Sequence, residues 1–218
     1  MASHYEDLAD YRRRVAAMYA AVREGKADPV ETCRHFRASR EELFRTHPQS
    51  ALSAEQKAKF AGLWYYDYNP AYRFLASVIT NVESEIFEVD LAEDGLLRMR
   101  RFGRIRLTIG SETVSLTLFW IMGYGGGIFL PFRDLTNGRE TYGGGRYLLD
   151  TIKHADLGQA GAQLVIDFNY AYNPSCAFDP TKFVCPLAPP ENWVPVRIEA
   201  GEKRYLDVLV GLRADSPT

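Results

Sequence analysis

The feature that most constrains this chain is a change of hydrophobic period part-way along it. Up to about Gly62 the apolar residues recur at three- and four-residue steps; from Tyr72 onward they alternate. The first spacing belongs to a helix with one buried stripe, the second to a strand with one buried face. Neither an all-helical bundle nor an all-strand sandwich accommodates both. The pattern therefore predicts an α+β protein in which N-terminal helices pack on an antiparallel β-barrel or strongly curved β-sheet.

The helical part carries its own punctuation. Leu8, Tyr11, Val15, Met18 and Val22 keep the helical step, with Ser3 and Glu6 as a capping box and Gly25 as the stop. Asp28, Pro29 and Glu31 open a second helix, which carries Val30, Cys33, Phe36, Leu43 and Phe44 and stops before His47 and Pro48. Ser53 and Gln56 start a short third helix that Gly62 ends.

Beyond it, YRFLASVIT, EIFEVDL, LLRMRRFG, RIRLTIG and TVSLTLFWI read as successive strands, with a hairpin at residues 109–113. Further strands are expected at residues 127–132, 146–149, 163–168 and 194–198. These elements divide the chain into a helical segment (1–62), a β-rich domain carrying the site (63–213) and a disordered tail (214–218).

Composition narrows the function classes. With 46% hydrophobic and 25% charged residues the chain has material for a sizeable core, and a formal net charge of -2 offers no nucleic-acid footprint. No apolar run approaches a membrane span, and the N-terminus lacks the apolar stretch of a signal peptide. The expectation is a cytoplasmic protein with no membrane partner.

Residues 123–193 are unlike ordinary core sequence, because glycine triplets, prolines, asparagines and aromatics crowd together there. Each of these types frees or restricts the backbone at a cost in stability unless a particular shape is wanted. The stretch reads as an irregular surface that holds a few polar groups in place. In TYGGGRYL (141–148) no lysine follows the glycines, so the pattern is not a phosphate-binding P-loop. Two readings stand for Gly143, Gly144 and Gly145: backbone amides presented to an anion with Arg139 and Arg146 as partners, or a tight corner of the sheet. Arg146 is expected to face solvent, a carboxylate or a ligand.

DFNYAYNP (167–174) places Asp167 at the end of a buried strand, where a carboxylate caps the next turn or works as an acid/base group. Tyr142, Tyr170 and Tyr172 offer phenols to line a pocket. CPLAPPENW (185–193) is stiffened by three prolines and holds Glu191 and Asn192 at fixed positions. If Asp167 and Glu191 face each other, mutual repulsion raises one pKa and makes an acid/base pair. The three cysteines (Cys33, Cys176, Cys185) and four histidines show no zinc-ligand spacing, so no metal or other cofactor is expected. Cys33 reads as a small buried apolar residue and Cys185 as a buried structural cysteine, with Cys176 and Cys185 free thiols rather than a bridge. Cys176 stays open as a catalytic candidate.

In order and spacing, FRDLTNGRETYGGGRYL, DFNYAYNPSCAF, CPLAPPENW and IEAGEK resemble a bacterial family catalogued as a domain of unknown function, DUF1684. The upstream segment FAGLWYYDYNPAYRF is similar to that family's lead-in to its first strand. The resemblance runs from about Arg40 to Lys203, leaves the first helix outside, and is to the family's short form. It implies that Asp134, Thr136, Tyr142, Gly143, Gly145, Arg146, Asp167, Asn169, Tyr172, Asn173, Cys176, Cys185, Glu191 and Asn192 matter. It implies no reaction. Phe178 stands where similar sequences commonly have tyrosine, so no hydroxyl chemistry carries over to that position.

The expected function is a small-molecule-handling enzyme performing metal-independent acid/base chemistry on a small anionic or carboxylate-bearing substrate. Asp167 and Glu191, with Cys176, are its catalytic candidates. Arg139, Tyr142, Arg146, Asn169, Tyr172, Asn173 and Asn192 are its substrate-binding candidates. The alternative is a non-catalytic β-barrel module that binds a small ligand. A homodimer through the tyrosine-rich segment around Trp64 is a further expectation.

Overall fold

A computed structural model describes residues 4–25 and 28–205. Three helices come first: α1 (His4–Glu24), α2 (Pro29–Thr46) and α3 (Ala54–Ala58). Asp28 caps α2 by accepting from the backbone N–H groups of Val30 at 2.7 Å and Glu31 at 3.3 Å. Pro29 occupies the first turn, where its missing N–H leaves no bond unmade. In α3, Ser53 and Gln56 exchange side-chain and backbone hydrogen bonds as a reciprocal cap. This helix closes at Lys59, before Gly62. The expected cap at Ser3 and the expected tail at 214–218 lie outside the described residues.

Eight strands follow: β1 (Arg73–Ala76), β2 (Ile86–Asp90), β3 (Leu96–Ile109), β4 (Glu112–Ile121), β5 (Gly127–Phe132), β6 (Arg146–Asp150), β7 (Gln159–Ala160) and β8 (Gln163–Asp167). They form a five-stranded sheet in the order β2-β3-β4-β5-β6 and a three-stranded sheet in the order β1-β8-β7, antiparallel throughout. Among the described residues neither sheet closes on itself. The α+β architecture therefore stands, with two open sheets in place of a barrel.

The join between the sheets explains a second difference from the sequence reading. LLRMRRFG and RIRLTIG are not two strands but one, β3, whose register with β4 shifts between Arg101 and Gly103. A bulge bends a strand without ending it. At that bend Ile79, just beyond β1, bridges Arg104 with backbone hydrogen bonds of 2.8 and 2.9 Å. A Cβ at Gly103 would lie 2.6 Å from the Val78 side chain, so the glycine permits the two sheets to touch. The expected strand at 194–198 is an irregular run instead. Pro195 interrupts it, yet Val194 N–H still donates to Arg133 at 2.8 Å and Val196 accepts from Leu135 at 2.9 Å. The two-residue β7 was not expected at all.

One core serves helices and sheets together. Met18, Tyr19, Cys33, Phe36 and Leu43 from α1 and α2 share a cluster with Ile105, Leu116, Leu118, Phe132, Leu148 and Ile166. An edge-to-face relay, Tyr19 to Phe36 to Tyr170, crosses from α1 through α2 to the end of β8 with 5.0 Å between successive ring centroids. Alternation along β4 turns Phe119 and Ile121 to the opposite face, where they meet Met99, Phe129 and Tyr147. Each such aromatic or aliphatic side chain contributes about 1.5–3 kcal/mol through burial.

Candidate functional site

Arg146 opens β6 and is completely buried. Its guanidinium donates to the carbonyls of Ala200, Ile198 (3.0 Å) and Glu202 (3.3 Å) and to the carboxylate of Asp134 (3.2 Å). Asp134 in turn accepts from Ile198 N–H at 2.8 Å and from Thr136. Of the three environments expected for Arg146, the carboxylate is the one it has, and it stitches residues 198–202 to the β5–β6 connection. The glycines beside it make a close corner. Gly145 has φ +97°, and a Cβ there would fall 2.6 Å from the Phe132 carbonyl. Arg139 is exposed on the same connection.

The asparagines are also consumed by backbone. The β4–β5 ladder ends at the pair Phe119–Phe129, and beyond it Pro131 has no N–H to give to β4. The Asn192 carboxamide fills the gap: it accepts from Thr117 N–H at 2.7 Å and donates to Thr117 O at 3.0 Å and Pro131 O at 2.7 Å. Asn169 holds the Asn69 backbone in both directions, at 2.8 and 2.9 Å. Asn173 donates its N–H to Glu202 and its amide to Lys203 O, both at 2.8 Å. Buried Glu202 also pairs with buried Arg40 of α2. Burial would lower the Arg40 pKa, but the Glu202 carboxylate, with Tyr65 and Tyr11 nearby, raises it on balance. Tyr172 packs its ring against that guanidinium, 5.0 Å away.

Glu191 and Asp167 have no partner in common. Glu191 is gripped by Arg101 at 3.0 and 3.2 Å and receives the Thr117 hydroxyl at 3.1 Å. The expected face-to-face carboxylate pair is replaced by two separately held acids. Asp167 ends β8, where its Oδ1 caps the following turn by accepting from Asn169 N–H at 3.0 Å and Asn169 Nδ2 at 2.8 Å. Both the cap and the acid/base readings needed a buried carboxylate, and Asp167 is only 3% exposed. Its Oδ2 receives no hydrogen bond from the described residues and lies 3.9 Å from Arg73 Nε. Burial pushes its pKa up, against the pull of the Asn169 hydrogen bonds and of Arg73.

This carboxylate lines a cleft of about 410 Å³ between the α1–α2 end of the helical layer and the β1-β8-β7 sheet. Arg23, Tyr68, Arg73 and Tyr170 line it too. Burial pushes both phenols up, so they remain hydrogen-bond donors near neutral pH. The volume is in the range of small-molecule sites. Of the residues singled out in the sequence, Asp167 and Tyr170 line this cleft and Asn169 orients Asp167 through its hydrogen bonds. Arg23 and Arg73 were missed. Arg73 sits in an ordinary strand-forming run, and only the register Arg73↔Asp167 brings the two charges together.

The remaining candidates gather elsewhere. Cys176 is buried, Cys185 is partly exposed, and Tyr142 donates its hydroxyl to Cys176 Sγ at 3.7 Å. Cys185 is thus the more exposed residue of the two, the opposite of the role its sequence context suggested. Large aromatics of the β-rich part are dispersed: Phe129 and Phe168 are core residues, whereas Trp120, Tyr124 and Trp193 are exposed.

Fold and cleft together define an α+β protein of two open antiparallel sheets under a helical layer, with a buried acid at the junction. The chain belongs to the family described as protein of unknown function, DUF1684, which it matches over residues 58–203. A similar solved structure is the solution NMR structure of an uncharacterized protein from Haloarcula marismortui. It is 32% identical, with a TM-score of 0.58, over 79% of this chain and 92% of that one. No curated protein matches the chain. No helix among the described residues is long and apolar enough to cross a membrane.

Proposed function

We propose that this protein binds a small anionic ligand, such as a carboxylate, in the cleft lined by Asp167, and that Asp167 exchanges a proton with it. The observation that carries this reading is a carboxylate 3% exposed, on the wall of a cleft of about 410 Å³, with one oxygen that receives no hydrogen bond from the described residues. Burial raises its pKa toward the range in which a carboxyl both gives and takes protons. Asn169 fixes its orientation through Oδ1 and leaves Oδ2 for the ligand. Arg73 and Arg23 supply positive charge for the anionic group, and Tyr68 and Tyr170 supply donors. The proton step needs no metal.

A binding-only role is the second reading. It is favoured by the structural duty Asp167 already has as cap of the turn after β8. Amide NMR titration with acetate, succinate and inorganic phosphate tests the site itself. Shifts are expected at Arg73, Gly158, Asp167 and Tyr170, and about tenfold weaker binding in Arg73→Met, equivalent to about 1.4 kcal/mol. Shifts confined to other regions, or affinity indifferent to Arg73, would overturn the proposal. Calorimetry in buffers of different ionisation enthalpy separates the two readings. Proton exchange on binding that disappears in Asp167→Asn supports acid/base chemistry, and binding without proton exchange supports the module.

A further inference from the structure

Outside that cleft, Cys176 and Cys185 lie against each other. The short turn Ser175–Ala177 follows Pro174, and Pro186 follows Cys185, so both cysteines sit on backbone with little freedom. Cys176 N–H donates to Cys185 Sγ at 3.3 Å, which brings the two cysteines into contact. Tyr142 donates its hydroxyl to Cys176 Sγ at 3.7 Å. Cys185 is partly exposed and Cys176 buried behind it. The third cysteine, Cys33, is buried in the main core with its thiol 3.9 Å from the Asn169 carbonyl.

We propose that Cys176 and Cys185 are a redox-active dithiol that exchanges with low-molecular-weight disulfides. The geometry assigns the two sulfurs different parts. Cys185 is the attacking group: it is reachable from solvent, and donors at its sulfur stabilise the thiolate. Contact with Cys176 holds the Cys185 pKa below that of an ordinary thiol against the effect of burial, with help from the positive charge of Lys153. Cys176 is the resolving group. Its hydrogen bond to Cys185 and its burial push its pKa up, so it stays a thiol until a mixed disulfide forms. Splitting a dithiol into one exposed thiolate and one buried thiol is the arrangement that disulfide exchange requires.

The chemistry balances as follows. The Cys185 thiolate attacks one sulfur of RSSR, forms a Cys185–SR bond, and releases one thiolate RS⁻. Cys176 then attacks the Cys185 sulfur, forms the Cys176–Cys185 bond, and releases the second RS⁻, which takes up the Cys176 proton. Two protein thiols are oxidised and one external disulfide is reduced to two thiols. The Tyr142 hydroxyl, held protonated by burial and by its sulfur contact with its pKa pushed up to about 12, steadies the charge that develops on Cys176.

The experiment uses the full chain and oxidised glutathione, followed by alkylation and peptide mass spectrometry. The expected result is a loss of two hydrogens, a Cys176–Cys185 linked peptide, and an unmodified Cys33. Cys176→Ser should trap glutathione on Cys185. In the wild-type protein, iodoacetamide should alkylate Cys185 with a pH midpoint below that of an ordinary thiol and about tenfold or more faster than Cys33 at neutral pH. A stable glutathione adduct with no linked peptide, or no reaction at either sulfur, would overturn the proposal. So would a Cys185 midpoint near that of an ordinary thiol.

Discussion

At the scale of single residues, the polar side chains of residues 123–193 mostly serve backbone. Asn192 is the clearest case. Its amide occupies the place where Pro131 leaves β4 and β5 without a ladder bond. Replacing it with leucine strands the Thr117 N–H and two carbonyls in the interior. Each buried orphan costs about 1–3 kcal/mol, so Asn192→Leu should lower the urea unfolding free energy by several kcal/mol. A loss under about 1 kcal/mol would mean that water replaces the amide. The sequence marked Asn192, Asn169, Asn173 and Arg146 as positions that matter, and they are heavily engaged. What it left open is whether a polar side chain reaches a ligand or its own main chain, because both uses select the same residue types. Arg146 illustrates the ambiguity: its carboxylate partner, Asp134, lies only across the β5–β6 connection, but its three carbonyl partners lie more than fifty positions away.

At the scale of elements, the helices and most strands were legible because their signals are local. The Asp28–Pro29 start of α2 and the Ser53–Gln56 box of α3 are decided within four residues. The boundaries of β5 match the strand expected at 127–132. The single long β3 was not legible, since a glycine inside a strand signals a turn as readily as a bulge. Only the contact of Gly103 with Val78 distinguishes the two. The attachment of α2 to the C-terminal segment was equally hidden, because Arg40 and Glu202 meet across most of the chain. That buried pair gives a test at this scale. Glu202→Gln leaves Arg40 charged and uncompensated and removes the carboxylate acceptor of Asn173 N–H. Loss of one partner from a buried pair costs about 3–5 kcal/mol. Hydrogen exchange should show faster opening of α2 and residues 171–173 than of β3 and β4. Uniform acceleration over the whole chain would contradict this account.

At the scale of the molecule, the irregular third divides its polar groups between two duties. Arg146, Asp134, Asn192 and Glu202 fasten the two sheets, the helices and the C-terminal segment to one core. Asp167 is held by the same framework at the edge of a cleft, where burial works against its charge. A carboxyl whose folded pKa is raised above its ordinary value of 3.8 is a source of stability only in its protonated form. Its contribution is favourable below the folded pKa and is lost as pH rises through it. Removing the charge should therefore help the fold at neutral pH, while the amide of asparagine keeps an oxygen to cap the turn. Groups retained at such a cost are those expected to serve ligands rather than structure.

The most direct measurement is a side-by-side comparison of the urea unfolding free energies of Asp167→Asn and Arg146→Met with wild type at neutral pH. The account predicts that Asp167→Asn is as stable as wild type or more so, with any advantage fading as pH falls toward 3.8. It predicts that Arg146→Met, which leaves Asp134 buried without its counter-charge, loses about 3–5 kcal/mol. The reverse order, with Asp167 indispensable to the fold and Arg146 freely replaceable, would contradict the assignment of the cleft and of the clasp at once.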